Sequence, residues 1–141
     1  MSFIGQHNMK QKDLHDLVKQ HIPQIHYLEC DTDELIEGEC ALWNNDNATV
    51  VIEFADNRCD CHNLADALQT VSAKLAWLNE HQSDITQATQ TNPDTAYIAY
   101  AAFWVEDSEQ VFCDFAVAPD LDSEQEIECS LEEDNTLVVM D

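Results

Sequence analysis

The fold is decided by residues 62–80, which read HNLADALQTVSAKLAWLNE. Apolar side chains recur there at alternating spacings of four and three, and they are Leu64, Leu68, Val71, Leu75 and Leu78. This spacing places them on one face, so the stretch predicts an amphipathic α-helix. A helix of this length is marginal in water by itself, so its apolar face must pack against other elements. We therefore expect this central helix to be the scaffold of the fold.

Three segments before the central helix carry the pattern of β-strands. They are residues 25–30, 36–43 and 48–54, with polar turns between them. Their alternation and their Val and Ile content predict a three-stranded antiparallel meander, crossed on one face by the central helix. Residues 8–20 predict an amphipathic N-terminal helix that ends before Pro23.

The chain after the central helix admits more than one interpretation. Residues 84–90 are either a short polar helix or a frayed continuation of the central one. Aromatic and β-branched residues in 95–104 favour a strand, although the preceding Asn92 and Pro93 would also suit the start of a helix. Residues 111–117 alternate like a strand, and a short helix is again the competing interpretation.

The C-terminal residues carry the pattern of a hairpin. Residues 125–131 place apolar side chains on one face and polar ones on the other, and a polar turn leads into 136–140. The predicted fold class is α+β: an antiparallel sheet, made of the meander and the C-terminal hairpin, packed against one long central helix, with an N-terminal helix. At 141 residues we expect a single globular domain over residues 1–141.

The charge is the strongest functional observation in the sequence. The formal net charge is −24, from 29 acidic and five basic residues. Three of those five, Lys10, Lys12 and Lys19, fall near the N-terminus. Such a field repels nucleic acid and anionic membranes, and it attracts a basic protein at a rate that falls with salt. We therefore expect a basic protein partner and no binding to nucleic acid or membrane.

Several classes of function lack their sequence motifs. The chain has two glycines and no Gly-rich phosphate loop, and it carries no serine elbow, kinase signature or metalloprotease motif. We expect a protein that is not an enzyme and that needs no cofactor. No apolar run approaches the roughly 20 residues of a membrane span, and the N-terminus lacks the apolar core of a secretion signal. The expected location is the cytoplasm.

Two acidic segments are the candidate partner-binding residues. One segment alternates along an extended stretch and would line several carboxylates along one side of a strand. The other is the acidic turn after the first strand. The candidate residues are Asp120, Asp122, Glu124, Glu126, Glu128, Asp31, Asp33 and Glu34. On an edge strand, the first segment would serve equally well to block aggregation. Neither segment has the glycine or the spacing of a calcium-binding loop.

The cysteines offer one alternative site. Cys59, Cys61 and His62 are a dense group of metal-ligand types, but a closed zinc site needs four ligands and the second pair is missing. Cys30 and Cys40 could complete it only from facing strands, so we predict no bound metal. A redox pair is the other use of the same group. The remaining cysteines are expected to be reduced, buried hydrophobic residues.

A family resemblance accompanies these patterns. An acidic strand, the sequence GECALW at residues 38–43, a Val/Ile strand and a Leu/Ala helix follow one another over residues 36–78. This order resembles small uncharacterised bacterial proteins that include immunity proteins of polymorphic toxin systems. The resemblance implies a non-catalytic protein that masks a toxin, often a basic nuclease, with an acidic surface.

The sequence is therefore compatible with three functions. The first, which we favour, is a small acidic intracellular binding protein that engages a basic partner, either immunity-like or a mimic of nucleic-acid charge. The second is a metal- or thiol-dependent protein that uses Cys59, Cys61 and His62. The third is a housekeeping domain of a salt-tolerant organism, in which the charge serves solubility.

Overall fold

The structure is a computed structural model that describes residues 11–30, 35–55, 61–106, 110–120, 122 and 124–140. Within these ranges the helices are α1 (Gln11–His21), α2 (Cys61–Glu80) and α3 (Gln82–Thr89). The strands are β1 (Ile25–Cys30), β2 (Leu35–Leu42), β3 (Asn45–Phe54), β4 (Tyr97–Val105), β5 (Val111–Ala118), β6 (Ile127–Leu131) and β7 (Leu137–Met140). The fold is α+β, as the sequence predicts. No helix in the described ranges is long and apolar enough to cross a membrane.

All seven strands form one sheet whose spatial order follows the sequence, from β1 to β7. Every neighbouring pair is antiparallel except β3 and β4, which are parallel. The predicted antiparallel sheet is therefore wrong at this one pair. Its physical reason is the connection: α2 and α3 carry the chain back along the sheet, so β4 starts at the same end as β3.

The individual strand predictions are confirmed. The meander β1 to β3 lies where the alternation placed it, and both ambiguous segments, β4 and β5, are strands rather than helices. Asn92 and Pro93 do not start a helix. The Asn92 backbone carbonyl accepts from the Ala96 backbone N–H at 2.7 Å, and its side-chain Oδ1 accepts from the Asp94 N–H at 2.9 Å. The result is a tight turn that leads directly into β4.

The helix predicted over residues 62–80 is α2, and of the two interpretations of residues 84–90 the short separate helix is correct. The description of one long central helix is wrong, because the chain breaks between α2 and α3. At the break, the His81 ring stacks on Trp77 with 4.0 Å between ring centroids. The His81 Nδ1 also lies 2.8 Å from the Trp77 backbone carbonyl, to which it donates, and the His81 backbone leaves the helical region (φ −109°, ψ 27°). The break allows α3 to contact β7, while α2 contacts β2 and β5.

The helices cover one face of the sheet, which we call the covered face. On each central strand every second side chain points into the core, as Val50 and Ile52 do on β3 and Phe103 does on β4. The apolar stripe of α2 packs there, and all five of its sequence-predicted positions are fully buried. The opposite side of the sheet has no helix against it among the described elements, and we call it the open face.

Trp43 and its neighbours fix the helices to the sheet. Trp43 adopts a left-handed backbone conformation (φ 58°) in the turn between β2 and β3, and its Nε1 donates to the Leu78 carbonyl at the end of α2 at 2.8 Å. The next residue, Asn44, donates from Nδ2 to the Ala96 carbonyl at 2.7 Å, just before β4. One turn therefore holds both α2 and the start of β4 in place beside β3.

Lys74 is the buried cation of the helix layer, with 2 % of its surface exposed. Its Nζ donates to the Glu132 and Glu133 backbone carbonyls at 3.0 and 3.3 Å and to Asn135 Oδ1 at 2.6 Å. Burial lowers the pKa of Lys74, and the nearby acidic groups act in the opposite direction. Lys74 thus joins α2 to the turn between β6 and β7, where Asn135 has a positive φ of 65°.

Candidate functional site

Rows of side chains cross the open face, and the strand registers define them. The first row is Tyr27, Glu39, Thr49, Tyr100, Ala116, Glu128 and Met140. The second row is Glu29, Glu37, Val51, Ala102, Asp114, Ser130 and Val138. A third, shorter row is Leu35, Glu53, Trp104 and Phe112. Residues that pair across strands share a face, and these residues alternate with the buried ones, so all three rows lie away from the helices.

The open face is acidic and carries no basic side chain in these rows. Its six carboxylates are Glu29, Glu37, Glu39, Glu53, Asp114 and Glu128. The Lys and Arg side chains that the structure describes are Lys19, on α1, and Lys74, in the helix layer. The one contact within 4 Å between a basic and an acidic side chain in the described part of the chain joins His15 to Asp16 on α1, at 3.9 Å. The described residues therefore leave the charge of the open face uncompensated.

Two carboxylates of this face stand directly opposite each other. Glu29 on β1 pairs with Glu37 on β2, and Glu39 follows on the same face of β2. Like charges at directly opposed positions of an antiparallel pair destabilise the sheet. Tyr27 donates a hydrogen bond to Glu29 and so holds this carboxylate in the cluster. The repulsion among these carboxylates destabilises the sheet, and a bound cation or cationic side chain would relieve that repulsion.

Two further carboxylates are held by neighbouring hydroxyls on the same face. Ser130 Oγ donates to Asp114 Oδ1 at 2.9 Å, and Tyr100 Oη donates to Glu128 Oε1 at 3.3 Å. Burial, together with the charge of Glu128, raises the pKa of Tyr100. Tyr100 on β4 reaches Glu128 on β6 across Ala116, which explains why Ala116 has no exposed surface on an otherwise open face.

Exposed apolar side chains accompany these carboxylates. The large hydrophobic side chains that are exposed in the described part of the chain are Tyr27 (49 %), Trp104 (42 %), Met140 (42 %) and Val138 (41 %). All four belong to the three rows of the open face. Single exposed hydrophobic residues are ordinary, but their concentration on one face with aromatic members is typical of an interaction surface.

The structure separates the residues that the sequence predicts as partner-binding. Glu128 lies on the open face, in β6. Asp120, Asp122, Glu124 and Glu126 are exposed in the connection between β5 and β6, where Asp120 Oδ1 accepts from the Asp122 backbone N–H at 2.9 Å. The predicted stripe along one side of a strand is therefore wrong, because only Glu128 of these residues is in a strand. β6 lies between β5 and β7, so it is not an edge strand. The other three predicted residues, Asp31, Asp33 and Glu34, lie outside the described residues.

The candidate metal or redox group is largely outside what the structure describes. Cys59 is among the residues not described, and Cys61 and His62 begin α2 without described side chains. The described residues contain no group of three or more His, Cys, Asp or Glu side chains that could hold a metal ion.

Three other cysteines are buried in the core, as predicted. They are Cys40, Cys113 and Cys129. Burial raises the pKa of the Cys40 and Cys129 thiols to about 11 and also raises that of Cys113. Reactive cysteines have lowered pKa values, so these three are packing residues rather than nucleophiles at neutral pH.

A cleft of about 310 Å³ lies at one end of the sheet, lined by Asn44, Asp94, Thr95 and Asp120. Its uncharged polar side chains are committed to backbone groups: Thr95 Oγ1 donates to the Pro119 carbonyl at 2.9 Å, and Asn44 donates to Ala96. Among the described residues that line it, the cleft therefore has two carboxylates, and its hydroxyl and amide side chains are hydrogen-bonded to the backbone.

Sequence reasoning missed most of the open face. Glu29, Glu37, Glu39, Glu53 and Asp114 belong to the site, yet none of them was a candidate. The signal existed in the alternation of predicted strands, since Glu37 and Glu39 are out of phase with the buried Ile36 and Cys40. Recognising it as a surface needed the strand order and the knowledge that the helices cover the other face.

No family model, curated protein or solved structure matches this chain.

Proposed function

We propose that this is a small acidic binding protein that engages a basic protein partner through its negative surface, in the manner of an immunity protein or of a mimic of nucleic-acid charge. The observation that carries the proposal is the open face, where six carboxylates lie beside four exposed hydrophobic side chains and no basic side chain belongs to the rows. Charge of this kind steers a cationic partner to the surface, and the apolar side chains supply contact area after the encounter.

The arrangement of the charge favours binding over a role in solubility alone. A charge that served only solubility would not need exposed aromatic residues beside it. Here Glu29 opposes Glu37 at a cost in stability, and the exposed Tyr27 and Trp104 lie on the same face. Both features are disadvantages for an isolated protein and advantages for one that binds a cationic surface.

The proposal also fits the cysteines that the structure describes. Cys40, Cys113 and Cys129 are buried with raised pKa values, so they supply neither a thiolate nucleophile nor a ready metal ligand. Nothing in the described part of the chain supports a metal- or thiol-dependent reaction, whereas the open face supports binding directly.

The experiment that tests the proposal is a pull-down from a lysate of the source cell at low salt, followed by stepwise salt elution and mass spectrometry. Polyglutamate coupled to the same resin serves as the control for charge alone. We expect one basic protein to be retained by this chain, to elute late, and to be absent from the control. If the two resins release the same abundant basic proteins at the same salt steps, the proposal is overturned.

A further inference from the structure

The side chains at the centre of the open face are shorter than the acidic side chains on its two sides. The residues across the middle strands are small or lie flat, and they are Thr49, Val51, Ala102 and Ala116, with the Tyr100 ring over Ala116. We call these residues the trough. Longer acidic side chains border it on both sides: Glu37 and Glu39 on β2, which we call the β2 flank, and Asp114 and Glu128 on β5 and β6, which we call the β6 flank. The trough therefore has an uncharged floor between two acidic flanks, and Glu53 on β3 adds a carboxylate at the end where Trp104 lies.

The width of the trough suits an α-helix. Neighbouring strands lie about 4.8 Å apart, so the two flanks are separated by about 14 Å from β2 to β5 and about 19 Å from β2 to β6. A helix with its side chains is about 10–12 Å across, so it fits between the flanks. Lysine or arginine side chains on its two sides would reach the carboxylates that border it.

The open face also limits which backbone conformation a segment bound in the trough can have. The main-chain donors and acceptors of the central strands are used within the sheet, so the face offers none to a bound segment. An extended peptide would leave its own backbone groups without partners there, whereas a helix satisfies them internally. A second copy of this chain does not suit the face either, because each copy carries a net charge of −24 and the same acidic rows.

We propose that the trough binds an amphipathic α-helix of the basic partner, with small apolar residues on the floor and basic residues against the β2 and β6 flanks. This proposal rests on the proposed function and specifies the surface and the element that is recognised. Trp104 and Phe112 lie at one end of the trough, where an arginine of the helix can stack on the exposed Trp104 ring.

The test uses the full chain and two synthetic peptides of about 20 residues, a length at which a helix spans about 30 Å. One peptide has Ala and Leu on one face and Lys and Arg on both sides of it, and the second has the same composition in scrambled order. Binding is followed by tryptophan fluorescence, and peptide helicity is followed by circular dichroism. We expect the amphipathic peptide to bind about tenfold tighter than the scrambled one and to become helical on binding.

Two variants with equal loss of charge locate the site. Glu37→Gln with Glu39→Gln removes the β2 flank, and Glu124→Gln with Glu126→Gln removes two carboxylates from the connection before β6. We expect the first pair to weaken binding of the amphipathic peptide about tenfold and the second pair to weaken it less than about twofold.

Two further variants fill the trough without changing the charge. Thr49→Trp places a large ring on an exposed floor position of β3, and Ala102→Leu places a branched aliphatic side chain at a half-buried position of β4. We expect either variant to weaken peptide binding about tenfold. Thermal unfolding of each variant establishes that it is folded, and Thr49→Trp provides the test if Ala102→Leu does not fold.

The outcomes separate this proposal from the proposed function. Equal binding of the two peptides, or equal weakening by the two charge pairs, overturns the trough as the site while leaving a basic partner in place. Self-association of the chain that competes with the peptide overturns the choice of occupant. If neither peptide binds at low salt and the lysate yields no specific basic protein, the proposed function fails as well.

Discussion

The two faces of the sheet differ most clearly at two neighbouring residues of β4. Phe103 points to the covered face and is 2 % exposed, whereas Trp104 points to the open face and is 42 % exposed. The side chains that the described strands turn to the covered face are uncharged, and those on the open face include six carboxylates. Side chains on the covered face must pack closely against the helices, and side chains on the open face need not. Charge and exposed aromatic residues are therefore concentrated where they do not disturb the core.

The largest expected difference between the faces is in stability. Phe103→Ala should lower the free energy of unfolding by about 3–5 kcal/mol, because it leaves a cavity in a fully packed core. Trp104→Ala, one residue further, should change it by about 0.5 kcal/mol, as expected of an exposed position. Urea unfolding of both variants measures the difference. Equal losses would show that the open face is packed against something in the free protein.

The second prediction concerns the buried cation of the helix layer. Lys74→Met removes the donor to the Glu132 and Glu133 carbonyls and to Asn135, so it should lower the free energy of unfolding by about 2 kcal/mol. Lys19→Met removes the same charge from an exposed position on α1, where Nζ donates to the Ile25 carbonyl at 3.3 Å. We expect the free energy of unfolding of this control to stay within about 0.5 kcal/mol of that of the parent protein. If urea unfolding gives both variants the same stability, Lys74 does not hold the β6–β7 turn.

The third prediction concerns alkaline pH. Burial raises the pKa of Cys40 from 9.0 to about 11, so between these values the unfolded chain releases the thiol proton while the folded protein retains it. The contribution of Cys40 to stability is therefore complete below pH 9 and is lost as pH rises toward 11, by up to about 1.4 kcal/mol per unit. The lowered pKa of Lys74 makes the stability rise with pH below pH 10.5, which opposes the effect of Cys40.

Urea unfolding from pH 8 to pH 10.5 measures this dependence. We expect the stability to decline less steeply in Cys40→Ala than in the parent protein, because the variant lacks one of the covered-face thiols. Identical slopes would show that the Cys40 thiol ionises in the folded protein as it does in the unfolded chain.

The smallest expected effect is an increase in the free energy of unfolding, and it comes from a substitution on the open face. Glu37→Gln removes the like-charge pair with Glu29 and should raise the free energy of unfolding by about 0.2–1 kcal/mol, more at low salt than at high salt. Glu124→Gln, in an exposed connection, is the matched control and should have no measurable effect. A loss of stability in Glu37→Gln would mean that a cation already compensates this cluster in the free protein.

The covered face was predictable from the sequence because its signals are local. The stripe of α2 and the alternation in β1 to β3 depend on side chains a few residues apart, and the structure confirms them. The sequence left open whether residues 84–90 continue α2 or form a separate helix, because the apolar spacing continues from Leu78 to the buried Ile85. The structure places the break at His81, whose ring stacks on Trp77 and whose backbone leaves the helical region.

The parallel pair and the open face were not predictable for a different reason. A strand shows the same alternation whether its neighbour is parallel or antiparallel, so the direction of β4 depends on how α2 and α3 return the chain. The carboxylates of the open face come from β1, β2, β3, β5 and β6 and form no contiguous run. The acidic residues at every second position of 120–128, which do stand out in the sequence, contribute only Glu128 to that face.

The single parallel pair also affects the order in which the molecule assembles. Each antiparallel pair joins strands that are consecutive and close in the chain, whereas β3 must wait for α2 and α3 before it meets β4. Closing that long connection carries the largest entropic cost, so this pairing should limit the folding rate. The trough lies across the same seam, with Val51 on β3 and Ala102 on β4. A partner that binds the trough would therefore bind only chains in which β3 has already paired with β4, the step expected to be slowest.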